Sequence, residues 1–258
     1  MTPERTRIEA IADFVTQRGE VRIDELAAHF GVSRMTIHRD IDRLAQQGVL
    51  RKLHGSVSAQ PSGIYESHFR YRSGVASREK QALAEAALSH IQPGQVIMLD
   101  DSTTASAVAP LLGACAPLTV VTNSVTASNV LREMDEIDLI SVGGQYHRTY
   151  NAYIGHLCLN ALRGLRTDLL ICSASAVQGL SAFIQDQQVV AVKQAMMAAA
   201  ARKILLLDHS KFGKTALHLL EDLTAFDAVL VTDGLPPAEA VWLEKAGVPL
   251  MLVRTTRT

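Results

Sequence analysis

The stretch from Ile23 to His54, IDELAAHFGVSRMTIHRDIDRLAQQGVLRKLH, limits what this chain can fold into more than any other. Leu26, Ala27 and Phe30 have helical spacing, and Gly31-Val32 breaks the run. Ser33 stands where a helix cap belongs, because its hydroxyl can accept a backbone N–H from the next first turn. The spacing predicts a second helix over 34–47, with Ile37, Ile41 and Leu44 turned to a core. At about 100° per residue, Met35, Thr36, Arg39 and Arg43 fall on the opposite face. Two short helices joined by a tight glycine turn, the second with a basic outer face, describe a helix-turn-helix with its recognition helix. An ordinary amphipathic pair with solvated arginines has the same spacing, so the next residues decide. Gly48 ends the helix and VLRKLHGSV alternates, with Leu50 and Leu53 inward and Arg51, Lys52 and His54 outward. With a turn at Gly55, this reads as a β-hairpin wing with a basic edge.

Between Arg34 and Gln60, Arg34, Arg39, Arg43, Arg51 and Lys52 face only Asp40 and Asp42, a local excess of three positive charges. The chain as a whole carries a net charge of −1, so phosphate contact has to be local. The candidate DNA-contacting residues are Ser33, Arg34, Met35, Thr36, His38, Arg39, Arg43, Lys52 and His54.

The run ELAAHFGVSRMTIHRDIDRLAQQGVLRKLHG is similar to the amino-terminal winged helix-turn-helix of the DeoR family of bacterial transcription regulators. The family core S-x-x-T-I-[RH]-R-D-[IL]-x-x-L is present as Ser33, Thr36, Ile37, His38, Arg39, Asp40, Ile41 and Leu44. His38 stands where an arginine is usual, and Ser56 replaces the second wing glycine.

A length of 258 residues predicts two domains. The composition, 48% hydrophobic but 5% aromatic, suits aliphatic α/β packing more than an aromatic platform for RNA. No apolar run reaches membrane-spanning length, and MTPERTRIEA does not read as a signal peptide. Cys115, Cys158 and Cys172 are scattered, which argues against a disulfide framework or a zinc site and fits a reducing cytoplasm. No metal and no cofactor is expected.

The expected division is a winged helix-turn-helix over 1–58, a linker over 59–77 and an α/β domain over 78–258. Ile8, Ile11, Ala12 and Val15 make one face of a helix over 6–18, which backs the helix-turn-helix. The linker, with Pro, Gly and several Ser, lacks periodicity, though short ordered parts are expected around 64–71. From Arg78 onward, apolar strands alternate with helices. The strands are QVIMLD, LTVVT, IDLISV, TDLLICS, KILLLD, Phe226 to Thr232 and Pro249 to Val253. The helices are REKQALAEAALSHI, DDSTTASAVAPLL with its leading loop, NSVTASNVLREM, AYIGHLCLNALRGL, DQQVVAVKQAMMAAAA and AEAVWLEKA. Strands apolar throughout and alternating with helices imply a Rossmann-like parallel sheet covered on both faces.

In such sheets a ligand sits beyond the carboxyl ends of the strands. Four strand ends carry polar loops: Asp100, Asp101, Ser102, Thr103 and Thr104; Thr122, Asn123 and Ser124; Gly143 and Gly144; and the DHSKFG loop with Lys211, Phe212 and Gly213. Hydroxyls and helix-start N–H groups favour phosphate oxygens, Lys211 adds a compact charge, and the two carboxylates can accept sugar hydroxyls. Together they suit a phosphorylated sugar or polyol. Singly, STT is a helix cap, GG a turn and Lys211 a solvated lysine. Asp208 excludes a nucleotide P-loop at Gly213 to Thr215, where the leading glycine is missing.

This half also resembles the DeoR family, in MLDDSTT, VVTNS, VGG and LDHSKFG. The resemblance implies an effector domain related to ribose-5-phosphate isomerase and glucosamine-6-phosphate deaminase. It departs at Ser102, where a glycine is common, and after ICSAS, where only Gly179 could supply the usual glycine. The implied function is a DNA-binding regulator, a repressor of a sugar-utilisation operon, acting as a homodimer or homotetramer on double-stranded operator DNA under control of a phosphorylated sugar. The alternatives are a phosphosugar isomerase or deaminase with an added DNA-binding module, using Asp100, Asp101 or Asp186 as base beside Lys211, or a constitutive DNA-binding protein whose α/β half only oligomerises it.

Overall fold

The computed structural model describes residues 3–47, 49–59 and 69–255. The chain divides into two compact units, Met1–Val75 and Ala76–Thr258.

The first unit runs α1 (Pro3–Arg18), β1 (Glu20–Arg22), α2 (Ile23–Phe30), α3 (Arg34–Gln46), β2 (Leu50–Lys52), β3 (Ser56–Ala59) and α4 (Phe69–Gly74). Gly31 ends α2 in the left-handed region (φ 63°), and the Gly31 and Val32 N–H groups both reach the Ala27 carbonyl. A side chain would be strained there, so the glycine sets the sharp turn into α3. Ile11, Ala12, Val15, Leu26, Ile37, Ile41, Leu44, Leu50 and Val57 close one core. Burying each Leu, Ile or Val contributes roughly 1.5–3 kcal/mol, and the helical and strand periods aim them all inward. The wing strands β2 and β3 pair antiparallel, Arg51 opposite Ser58 and Lys52 opposite Val57. β3 also pairs with β1, a third strand that the sequence reading lacked because three residues cannot display a period. The Gly48 helix stop and residues 60–68 of the expected linker lie outside the described residues; within that linker Phe69–Gly74 is helical.

The second unit runs α5 (Ser77–Ala87), β4 (Val96–Leu99), α6 (Thr103–Ser106), β5 (Leu118–Thr122), α7 (Val125–Leu131), β6 (Ile137–Ser141), β7 (Gln145–His147), β8 (Ala152–Ile154), α8 (His156–Arg163), β9 (Thr167–Cys172), β10 (Ala176–Gln178), β11 (Ser181–Ile184), α9 (Gln187–Ala199), β12 (Ala200–Leu207), β13 (His218–Asp222), β14 (Ala228–Thr232), α10 (Pro237–Lys245) and β15 (Leu250–Val253). All seven apolar strands enter one parallel sheet, ordered β15-β14-β12-β9-β4-β5-β6. Alternate residues feed two cores. Met98, Leu170, Cys172 and Leu205 pack in one with Cys158, Val189, Met196 and Leu243. Ile97, Leu99, Ile171 and Ile204 pack in the other with Leu83, Ala105, Leu112 and Leu131.

Three sequence expectations change. AYIGHLCLNALRGL is not one helix: Ala152–Ile154 is β8, hairpinned to β7, and Gly155 (φ 84°) precedes α8. DDSTTASAVAPLL gives only the four-residue α6 and then a 3-10 stretch, Ala109–Cys115, because Pro110 has no N–H for an α-helical ladder. A small antiparallel sheet, β10-β11-β13, was not expected at all.

The order of the large sheet marks one position. From β4 the chain steps outward through β5 to β6, then returns to β4's other side with β9 and steps outward through β12, β14 and β15. The connections on the two sides of the β4/β9 boundary therefore diverge, which is the position where open α/β sheets bind ligands, at the carboxyl ends of these two strands.

Candidate functional site

On α3 the sequence-predicted DNA residues divide by what they touch. Ser33 caps the helix, accepting the Thr36 N–H at 3.2 Å, and its hydroxyl meets Thr36 Oγ1 at 3.0 Å. These two build the helix start. Arg34 is exposed but pairs with Asp24 of α2 (2.7 Å), and Lys52 on the wing pairs with Asp42 of α3. His38 is half-buried; Arg39, Arg43 and His54 are exposed. Met35 is 70% exposed. Among the described residues Arg39 makes no ion pair, which leaves its guanidinium for an outside acceptor. Asp40 is not an outward acid: it is buried and accepts from Arg7 Nε at 2.8 Å and Nη2 at 3.4 Å. It ties α3 to α1, and its charge does not oppose phosphate at the surface.

At the β4/β9 boundary lies a buried polar cluster. Asp100 is fully buried, and all four of its lone-pair positions are taken. Oδ1 accepts the Ser102 N–H (2.9 Å) and the Ser102 hydroxyl; Oδ2 accepts the Ser173 N–H (3.0 Å) and the Lys193 ammonium. The expectation that Asp100 accepts sugar hydroxyls is therefore corrected: it is a bracket joining the ends of β4 and β9 to α9. Lys193 Nζ also lies 3.3 Å from Asp101 Oδ1 and donates to the Ser173 carbonyl at 3.2 Å. Burial disfavours its charge, but Asp100 and Asp101 outweigh burial and hold the ammonium above the usual lysine range. Lys193 is the residue sequence reasoning missed. Its signal was a lysine on the stripe shared with Val189, Met196 and Met197, a face with no reason to carry charge unless paired.

Ser102 caps α6 by accepting the Ala105 N–H (3.0 Å), and Ser124 caps α7 by accepting that of Ala127 (3.3 Å). Ser106 and Ser124 hydroxyls meet at 3.2 Å, which ties the end of α6 to the start of α7. Thr103 and Thr104 sit in the first turn of α6, nearly buried. Thr122 Oγ1 accepts the Ser124 N–H, and Asn123 donates its side-chain amide to the Tyr153 carbonyl, anchoring β8. Asn123 Oδ1 is buried with no hydrogen-bond partner.

The other two loops lie farther out. Between the ends of β6 and β12 are four strand spacings of about 4.8 Å each, roughly 19 Å, so the Gly143 and Lys211 loops stand on opposite sides of the β4/β9 boundary. Gly144 is required by packing: a Cβ there would meet the Ile154 carbonyl oxygen at 2.6 Å. Close packing therefore accounts for the glycine at 144 by itself. Lys211 and Phe212 are half-buried after β12, beside Gly213 (φ 70°). Burial would raise the Asp208 carboxyl, but Lys211, the Ser210 hydrogen bond, Lys214 and Lys80 overcome this and hold it below its usual range. Lys80, 6% exposed on α5, is a second charge the sequence reading passed over. At the opposite end of the sheet a cavity of about 510 Å³ is lined by Asp135, Glu136 and Asp138, carboxylates that would repel a phosphate.

A model of the DeoR-like helix-turn-helix domain matches residues 7–62, and one of the DeoR C terminal sensor domain matches residues 75–234. The glycerol-3-phosphate regulon repressor of Escherichia coli (strain K12) is 30% identical over 91% of this chain and 93% of its own length. The L-fucose operon activator of Haemophilus influenzae is 33% identical over 89% of this chain and 92% of its own. Among solved structures, a D-ribose-5-phosphate isomerase aligns with 53% of this chain and 54% of its own at TM-score 0.40 and 20% identity, too distant to transfer chemistry.

Proposed function

Because the chain belongs to the DeoR family of transcriptional regulators, we propose that it represses a sugar-utilisation operon and answers to a phosphorylated sugar. Residues 1–58 bind operator DNA, 59–77 link, and 78–258 bind the effector. α3 enters the major groove, with Arg39 and Arg43 at base edges and phosphates and the wing's Lys52 and His54 beside the backbone. A homodimer or homotetramer presents two such helices to paired half-sites in the cytoplasm. Among the described residues no helix is long and apolar enough to cross a membrane.

The observation that carries the sensing half is the buried polar cluster at the β4/β9 boundary, where an open α/β sheet offers its ligand crevice. Asp101, Thr103 and Thr104 stand at its centre. Lys211 of the outer loop supplies positive charge for the phosphate. The sugar binds one state of this unit more tightly and shifts operator affinity by linkage. The isomerase or deaminase reading has less to stand on. Asp100 has no oxygen left for proton abstraction, and Asp186 spends Oδ1 capping α9.

The test is fluorescence anisotropy on a duplex selected by the protein from a random library, with a panel of sugar monophosphates and their unphosphorylated counterparts. At least one phosphorylated sugar should change operator affinity about five-fold or more while its free sugar does not. Turnover of a sugar phosphate with no change in DNA affinity would overturn the proposal.

A further inference from the structure

We infer that Met35 is a specificity-determining residue that reads a thymine through its C5-methyl group. The inference rests on the reading of α3 as the helix that enters the major groove, and it adds what that helix recognises there.

The first turn of a recognition helix is the part that meets base edges. In α3 three of the four residues around that turn are already committed. Ser33 and Thr36 bond to each other and to the helix backbone. Arg34 leans onto Asp24 of α2. Met35 alone projects from this turn without an internal role, and at 70% it is the most exposed of the large apolar side chains among the described residues. A thioether cannot supply the paired donors or acceptors that read guanine, adenine or cytosine in the major groove. The groove does offer one apolar feature that discriminates, the thymine methyl. An unbranched, polarisable side chain can settle against a methyl group without demanding one exact geometry.

Position narrows the inference further. Met35 and Arg39 are one turn apart on the same face, about 6 Å along the helix axis. Base pairs rise about 3.4 Å each, so the two side chains address positions roughly two base pairs apart. Arg39 has the donors for a guanine. The thymine read by Met35 therefore lies within about two base pairs of the pair read by Arg39.

The experiment uses the full chain and a duplex it selects from a random library. Each thymine is replaced in turn by deoxyuridine, which removes only the methyl group, and affinities are measured for the wild type and for Met35→Ala. Deoxyuridine at one thymine should weaken wild-type binding roughly four-fold, the factor expected for one methyl-sized group taken out of water. Met35→Ala should bind the thymine and deoxyuridine duplexes equally at that position, and Met35→Leu should keep part of the preference. Because Met35 is exposed, the alanine variant should melt with the wild type. Equal deoxyuridine sensitivity in wild type and Met35→Ala, or no sensitive thymine in a duplex that binds tightly, would overturn the inference and leave the DNA-binding reading intact. Failure of the wild type to select any sequence would overturn both.

Discussion

The two polar surfaces of this molecule are built on opposite principles. On α3 Met35, Arg39 and Arg43 stand exposed on the face turned away from an apolar core, and among the described residues Arg39 makes no ion pair. At the end of β4 the polar groups are buried and largely answer one another: Asp100 to Ser102, Ser173 and Lys193, Ser124 to Ser106. The first arrangement can be altered one side chain at a time with little cost to the fold. In the second, a change at the site is also a change in the framework, because a charge left unpaired in a low-dielectric interior is expensive.

The largest effect should come from Lys193→Met, which strands Asp100 and Asp101. A loss of about 3–5 kcal/mol in the second unit is expected by urea unfolding. A loss under about 1 kcal/mol would mean that the buried charges are not coupled as the geometry shows. Because the Lys193 ammonium is held above the usual lysine range, its contribution is fully present below that range and is lost as pH rises through and beyond it. Lys193→Met should therefore flatten the alkaline limb of a stability–pH curve.

Arg39→Ala sharpens the contrast from the other side. It should weaken binding to the selected duplex roughly ten- to a hundred-fold while stability stays within about 0.5 kcal/mol of wild type. Unfolding in place of that separation would mean Arg39 serves the core. Ser102→Ala removes a cap and should cost about 1 kcal/mol, together with a weaker response to effector at unchanged basal DNA affinity. The smallest change belongs to Asp208→Asn. The Asp208 carboxyl is held below its ordinary value of 3.8, so it stabilises the fold above that pH and loses this as pH falls further. The variant should lose stability less steeply as pH falls below that ordinary value, read by thermal melting across an acid pH series.

The same contrast explains what the sequence made legible. Ile37, Ile41 and Leu44 reveal the α3 face because helix period is local, and Ser33 and Gly31 mark its start within three residues. The seven apolar strands are legible for the same reason. The bracket between Asp100 and Lys193 joins residues 93 apart in the chain, and no local pattern pairs them. Lys193 and Lys80 left only a negative trace, each a charge on an otherwise apolar stripe. The β10-β11 hairpin did leave a signal, Gly179 (φ 59°) opening a two-residue turn between alternating segments, but β strands this short fall below the length at which alternation is convincing. Gly143-Gly144 reads as a ligand loop because close packing and phosphate approach demand the same residue, and the Ile154 carbonyl shows that packing alone already demands it at Gly144.

The most direct test is backbone hydrogen exchange on the full chain, with and without the sugar phosphate that shifts DNA affinity. Protection concentrated at residues 101–105 and 173–175, with a smaller change after β12, is the expected result for an effector seated at the β4/β9 boundary. Protection confined to the strand starts around Asp135–Asp138, or absent from 101–105, would contradict it.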